Sequence, residues 1–134
     1  VHTLGRLGSK HVLAFHGDKG LDELSTSGPS QVYELVEGEV REWTIDPEEL
    51  GLPVSSLEHV AGGTADENAG MIRDVLAGTA GPHRDIVLLN AAAGLVAAGR
   101  SEDMAAGLKA AADAVDSGEA EGRLHLLVAA STGA

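Results

Sequence analysis

Glycine decides where the helices of this chain can stop, and apolar spacing decides what lies between the stops. From residue 64 onward the sequence divides into four segments of helical spacing, the first three followed by a glycine: Gly78, Gly99 and Gly118. A glycine just past the last helical residue takes the left-handed conformation that closes a helix at little steric cost. Before residue 46 the spacing changes to short apolar runs and two-residue alternation, the pattern of strands. The order is strand, hairpin, then four helices, an α/β unit with its helices concentrated late.

The strand-like part begins with HVLAFHG at 11–17, too short for a buried helix and stopped by glycine, which reads as a buried strand. In SQVYELVEGEVREWTID, Val32, Glu34 and Val36 alternate with Tyr33 and Leu35, and Glu37-Gly38 supplies a tight turn. Arg41, Trp43 and Ile45 alternate with Val40, Glu42 and Thr44, so the second strand buries one face. Asp46-Pro47 then has the form of a cap and first position of a short helix that Gly51 ends. Thr64 and Glu67 have capping-box spacing for a helix to about residue 77. Pro82 opens a second helix. Ser101 caps a third that presents Met104, Leu108, Ala111, Ala112 and Val115, and a fourth covers about 119–130.

With 134 residues and no dividing linker, residues 1–134 form a single unit. Aromatics make up 2% of the chain against a hydrophobic fraction of 43%, so the core is built from Ala, Leu and Val, with closely packed helices. The net charge of −12 and the lack of any basic run argue against nucleic acid and against anionic membrane surfaces. Zero cysteines exclude disulfides and thiolate chemistry. No run approaches a membrane span, and the opening residues lack the apolar stretch of a signal peptide. VHTLGRLG reads as the last turn of a helix closed by Gly8, so the chain is expected to be a piece of something longer.

The loop GDKGLDELSTSG follows the first strand directly. Its adjacent Asp22 and Glu23 have two readings. They supply carboxylates to a hard cation such as Mg²⁺, which takes few protein ligands when phosphates provide others, or they form a solvated turn. Spacing alone does not decide between these. His16 has no second histidine nearby for a zinc site and reads as a strand-end residue. Ser25 and Ser27 lack the Gly-x-Ser-x-Gly elbow that would present a nucleophile to it. AGGTADEN at 61–68 resembles a phosphate-binding turn but carries no lysine, and Asp66 and Glu67 would repel an anion, so it reads as a helix cap. Asn90, inside an apolar helix, and Asn68 read as structural amides that bond neighbouring backbone.

Taken in order, HVLAFHGDKGLDELSTSGPSQVYEL, DPEELGL, GGTADENAGMIRDVLAG, RDIVLLNAAAGLVAAG and DAVDSGEA resemble the anthranilate phosphoribosyltransferases in sequence and spacing across essentially the whole chain. The resemblance implies the C-terminal segment of a nucleoside phosphorylase/phosphoribosyltransferase-like α/β domain. Its fold would be part of a mixed, mainly parallel sheet, with a β-hairpin and about four C-terminal helices. It implies a cytoplasmic enzyme of tryptophan biosynthesis that joins anthranilate to phosphoribosyl pyrophosphate and releases pyrophosphate. Asp22 and Glu23 would be its Mg²⁺ ligands, while Asp18 lies outside the acidic pair. The family's N-terminal helical region and glycine-rich phosphate loop have no counterpart here, so the segment alone is expected to be inactive. A homodimer is implied for the intact enzyme only. A related phosphoribosyltransferase or nucleoside phosphorylase keeps the same fold as an alternative, and a non-catalytic scaffold domain is the alternative of another class.

Overall fold

In the computed structural model, which describes residues 1–133, a short helix α1 (His2–Arg6) leads into strand β1 (His11–His16). Gly8 closes α1 with φ +97°, and the Gly8 and Ser9 amides bond back to Gly5 and Leu4. The same pair of backward bonds ends other segments at Gly51, Gly78 and Gly99, all with positive φ. That pair of hydrogen bonds satisfies carbonyls that a helix end would otherwise leave unpaired.

Strands β2 (Ser30–Val36) and β3 (Glu39–Ile45) form the hairpin on Glu37-Gly38, both residues with positive φ as a two-residue turn of this hand requires. The sheet order is β1-β2-β3, with His11 opposite Val36 and Ser30 opposite Ile45. All pairing is antiparallel among the described residues, whereas the resemblance implies a mainly parallel sheet. The reason lies in the connections. A parallel neighbour needs a crossover, commonly through a helix, but β1 returns to β2 through an irregular loop and β2 to β3 through a two-residue turn. The α/β class, the hairpin and the helical second half stand as expected.

The hairpin alternation holds, and both of its faces are covered in part. Val32 is buried towards the helices, with Leu13, Phe15, Trp43 and Ile45 on the same side. Leu35 points to the other face and is buried beneath Gly5 of α1, where a Cβ would stand 3.1 Å from its side chain. β1 is half-buried, not fully enclosed, because it lies at the edge of the sheet. Residues 47–51 make a single turn in place of a short helix. Only three residues separate Pro47 from the helix-ending Gly51, enough for one turn of backbone bonds and no more.

Four helices follow: α2 (Ala65–Leu76), α3 (Pro82–Ala97), α4 (Met104–Asp116) and α5 (Glu119–Thr132), with a 3₁₀ turn at Leu57–Val60 before them. Asp103, not Ser101, caps α4, its carboxylate accepting the Ala106 amide at 2.8 Å. α3 is the central element. Its Leu89, Ala92, Ala93 and Val96 meet Leu24, Val32 and Ile45 from the sheet side and Met104 from α4. α3 and α4 approach closely because Gly107 faces Ala92, whose carbonyl oxygen would lie 2.9 Å from any Cβ added there. An alanine-rich core thus gains its contacts by bringing backbones together. α5 is different, since Leu126, Leu127 and Val128 are exposed.

The α2 cap behaves as its spacing predicts. The Thr64 hydroxyl accepts the Glu67 amide, while the Thr64 amide and hydroxyl donate to the Glu67 carboxylate at 2.8 and 2.7 Å. The hydroxyl bond first, and then the backbone bond, hold the Glu67 carboxyl below its ordinary range. A lowered folded-state value means the contribution is full at pH above the ordinary glutamate range and is lost as pH falls through the lowered value. Thr64→Ala is expected to cost about 1 kcal/mol. Denaturant midpoints followed across the acidic range should show the full difference at neutral pH, narrowing on acidification to the part carried by the Glu67 amide's bond to the Thr64 hydroxyl, which does not titrate.

Candidate functional site: the acidic loop

The loop between β1 and β2 is folded by its own small residues. Gly17 is buried, and its amide donates to the Leu21 carbonyl at 2.8 Å. A Cβ at Gly17 would overlap the carbonyl oxygen of Glu23, so glycine is required where the two ends of the acidic turn cross. Asp18–Gly20 forms a single 3₁₀ turn with Lys19 at φ 56°. The Asp18 carboxylate accepts the Ser27 hydroxyl at 3.1 Å and pairs with Lys19 at 3.6 Å. Asp18 is therefore engaged inside the loop.

Asp22 and Glu23 are both exposed, and neither forms an ion pair among the described residues. They stand at the rim of an open depression of about 400 Å³ whose other walls include Leu13, Phe15, Asn90, Ala93 and Gly94. Among the described residues no three His, Asp or Glu side chains converge as a metal-binding group. A cation here would take two carboxylates from the chain and the rest of its oxygens from water and phosphate. That donor set suits Mg²⁺, which gives up its water reluctantly and commonly uses one or two carboxylates with substrate phosphates. It does not suit zinc, which needs about four firm ligands.

Immediately after the pair, the chain turns inward. Leu24 is fully buried, and its backbone is held by Asn90 of α3. Asn90 Oδ1 accepts the Leu24 amide at 2.9 Å, and Nδ2 donates to the Leu24 carbonyl and to the Ile86 carbonyl, each at 2.9 Å. The reading of Asn90 as an amide that bonds backbone holds, but most of that backbone lies 66 residues away. A polar residue in an apolar helix was the available signal, and it did not name the partner. Asn68 makes the corresponding clasp on Gly63, at 2.7 Å to the amide and 3.2 Å to the carbonyl. The glycine-bearing segment before α2 is thereby a tied cap.

Ser25 is buried, and its hydroxyl is engaged with Ser27 at 2.8 Å, while its amide donates to the Ser30 hydroxyl at 3.0 Å. His16 is exposed at the end of β1 and makes no bond to either serine among the described residues. These serines build the loop.

Residues 2–121 match the family model described as a glycosyl transferase family, a/b domain. The anthranilate phosphoribosyltransferase of Rhodopseudomonas palustris (strain BisB5) is 47% identical over 129 residues, covering 96% of this chain and 38% of that protein. The one from Moorella thermoacetica is 47% identical over 127 residues, covering 95% and 38%. Among solved structures, the anthranilate phosphoribosyltransferase of Thermus thermophilus superposes with a TM-score of 0.84 at 39% identity, over 94% of this chain and 37% of that one. The Saccharomyces cerevisiae enzyme in complex with PRPP and Mg superposes with a TM-score of 0.76 at 25% identity, over 84% of this chain and 33% of that one. This chain spans about two-fifths of the length of the curated relatives it matches.

Proposed function

Because the chain belongs to the glycosyl transferase family, a/b domain, we propose that it is the C-terminal part of an anthranilate phosphoribosyltransferase. The intact enzyme would act in tryptophan biosynthesis in the cytoplasm, and this segment would contribute its Mg²⁺-binding acidic loop. The observation that carries the proposal is 47% identity to anthranilate phosphoribosyltransferases along essentially the whole chain. The exposed carboxylate pair at the rim of a depression supports it.

The proposed reaction joins the anthranilate nitrogen to the anomeric carbon of the ribose as the bond from that carbon to pyrophosphate breaks, the amine's surplus proton passing to solvent. Negative charge collects on the departing oxygens and positive character on the sugar carbon. Asp22 and Glu23 would hold Mg²⁺, which when bound supplies charge neutralisation and orientation for the phosphates. The exposure of both carboxylates leaves them accessible to a cation arriving with its substrate. No residue of this segment is assigned as a general base. Both substrates are anionic and the segment carries −12, so the remainder of the enzyme must supply the positive charge that draws them in. For that reason the segment is expected to be inactive alone.

The test is reconstitution. The 134-residue chain is mixed with a polypeptide carrying the remaining N-terminal portion of a relative, and anthranilate consumption is followed with phosphoribosyl pyrophosphate and Mg²⁺. Turnover that requires both polypeptides supports the proposal. Turnover only with a nucleoside and phosphate would reassign the chain to a phosphorylase, and association without any turnover would favour a scaffold domain.

A further inference from the structure

Deepening the proposed metal-binding role, and resting on it, we infer that Asn90 is a positioning residue for Asp22 and Glu23, so that cation binding at the loop depends on an amide that does not itself touch the cation. The geometry is specific. Asn90 bonds both the amide and the carbonyl of Leu24, the residue directly after Glu23. Two bonds to one residue's backbone fix its rotation as well as its position. Nδ2 also donates to the Ile86 carbonyl one turn back on α3, which fixes the amide itself. All three bonds are 2.9 Å.

The loop needs such an anchor. Asp22 and Glu23 are exposed and without ion pairs among the described residues, so nothing about their own side chains sets their direction. Upstream, Gly17 and Leu21 close the turn through a backbone bond, and downstream Leu24 is buried in the core. Burial of the Leu24 side chain holds its position, but an apolar contact is non-directional. The Asn90 clasp supplies the direction, and Asn90 itself lines the same depression as the two carboxylates. Partners that orient metal-binding groups commonly influence affinity by about 10-fold or more.

Asn68 provides an internal control, since it makes the same kind of clasp on Gly63, at the start of α2. The experiment is a Mn²⁺ titration of the 134-residue chain, read by paramagnetic broadening of the amides of residues 21–24, with amide exchange at Leu24 and thermal melting recorded in parallel. The variants are Asn90→Ala, Asn90→Ser, Asn68→Ala and the double variant Asp22→Asn with Glu23→Gln. The serine hydroxyl can still satisfy the carbonyl one turn back on its own helix but is too short for Leu24, so it is the milder of the two Asn90 changes.

The expected result is Mn²⁺ affinity about 10-fold weaker in the Asn90 variants and faster exchange at Leu24. Asn68→Ala should lower the melting temperature but leave Mn²⁺ affinity unchanged. Affinity within twofold of the parent in a folded Asn90 variant overturns the inference, as does failure of both Asn90 variants to fold, which would make the residue purely a core element. If the double acidic variant loses Mn²⁺ while the Asn90 variants keep it, only the positioning role falls. If the parent chain binds no Mn²⁺ at these amides even with pyrophosphate added to supply the phosphate oxygens, the metal-binding reading falls and the positioning role with it.

Discussion

Changing Asp22 to Asn and Glu23 to Gln together is expected to reduce turnover of the reconstituted enzyme on the order of 10³-fold, the scale on which preorganised electrostatic groups contribute to a charged transition state. The fold should be nearly untouched. Both side chains are exposed and unpaired among the described residues, and surface changes of that kind shift stability by no more than about 0.5 kcal/mol. The loop's shape is set by other groups: the buried Gly17, the Asp18–Ser27 bond and the clasp on Leu24. Activity loss with an unchanged melting curve would therefore report the lost cation. Chelation of the metal should reproduce it in the parent enzyme and do little more in the variant. Turnover within a few-fold of the parent would remove the two carboxylates from the mechanism.

The largest stability effect is expected at Leu89. Its side chain is fully buried, in a cluster with Leu24, Val32, Ile45 and Met104, where the sheet, the acidic loop and two helices meet. Leu89→Ala removes the central side chain of an aromatic-poor core, and the alanines around it cannot expand into the space. The cost should be about 3 kcal/mol, a large share of the roughly 5–15 kcal/mol typical of a native domain. Denaturant unfolding should show a lower midpoint. Leu126→Ala serves as the contrast, because Leu126 is 61% exposed and the change should be small in this chain. Equal effects at the two positions would contradict the assignment of the core.

What was legible in the sequence was whatever is decided over a few neighbouring residues. Glycines 8, 51, 78 and 99 announce helix or turn ends because a positive φ and a backward hydrogen bond are local requirements. Thr64 with Glu67, and Glu37 with Gly38, work in the same way. The α4 cap was misplaced by two residues, since Ser101 and Asp103 are both capping types and only the backbone path brings Asp103 to the Ala106 amide. The short helix at 47–51 failed for want of length. Long-range facts were closed to inspection: the direction of β1 against the hairpin, the burial of Leu35 under Gly5, and the pairing of Asn90 with a residue 66 positions earlier.

The candidate site divides along the same line. An Asp-Glu dipeptide after a strand is ambiguous by itself, and the resemblance of the surrounding segments to a family gave it meaning. The loop geometry adds what spacing could not supply, namely that Asp18 is occupied within the loop while Asp22 and Glu23 are exposed beside a depression. Alanine and glycine in place of larger residues on α3 and α4 also acquire a reason, because they bring Ala92 against Gly107 and keep the helix bearing Asn90 firmly seated.

The intact mass, in native extract, of the protein that carries these residues decides whether they belong to a longer transferase. A segment of a longer transferase should appear in a species roughly two and a half times the chain's 13.6 kDa, in keeping with its 38% share of the relatives. That species should consume anthranilate when given phosphoribosyl pyrophosphate and Mg²⁺. A native species of 13.6 kDa, with no partner polypeptide whose addition yields turnover, would show a free-standing protein without transferase activity.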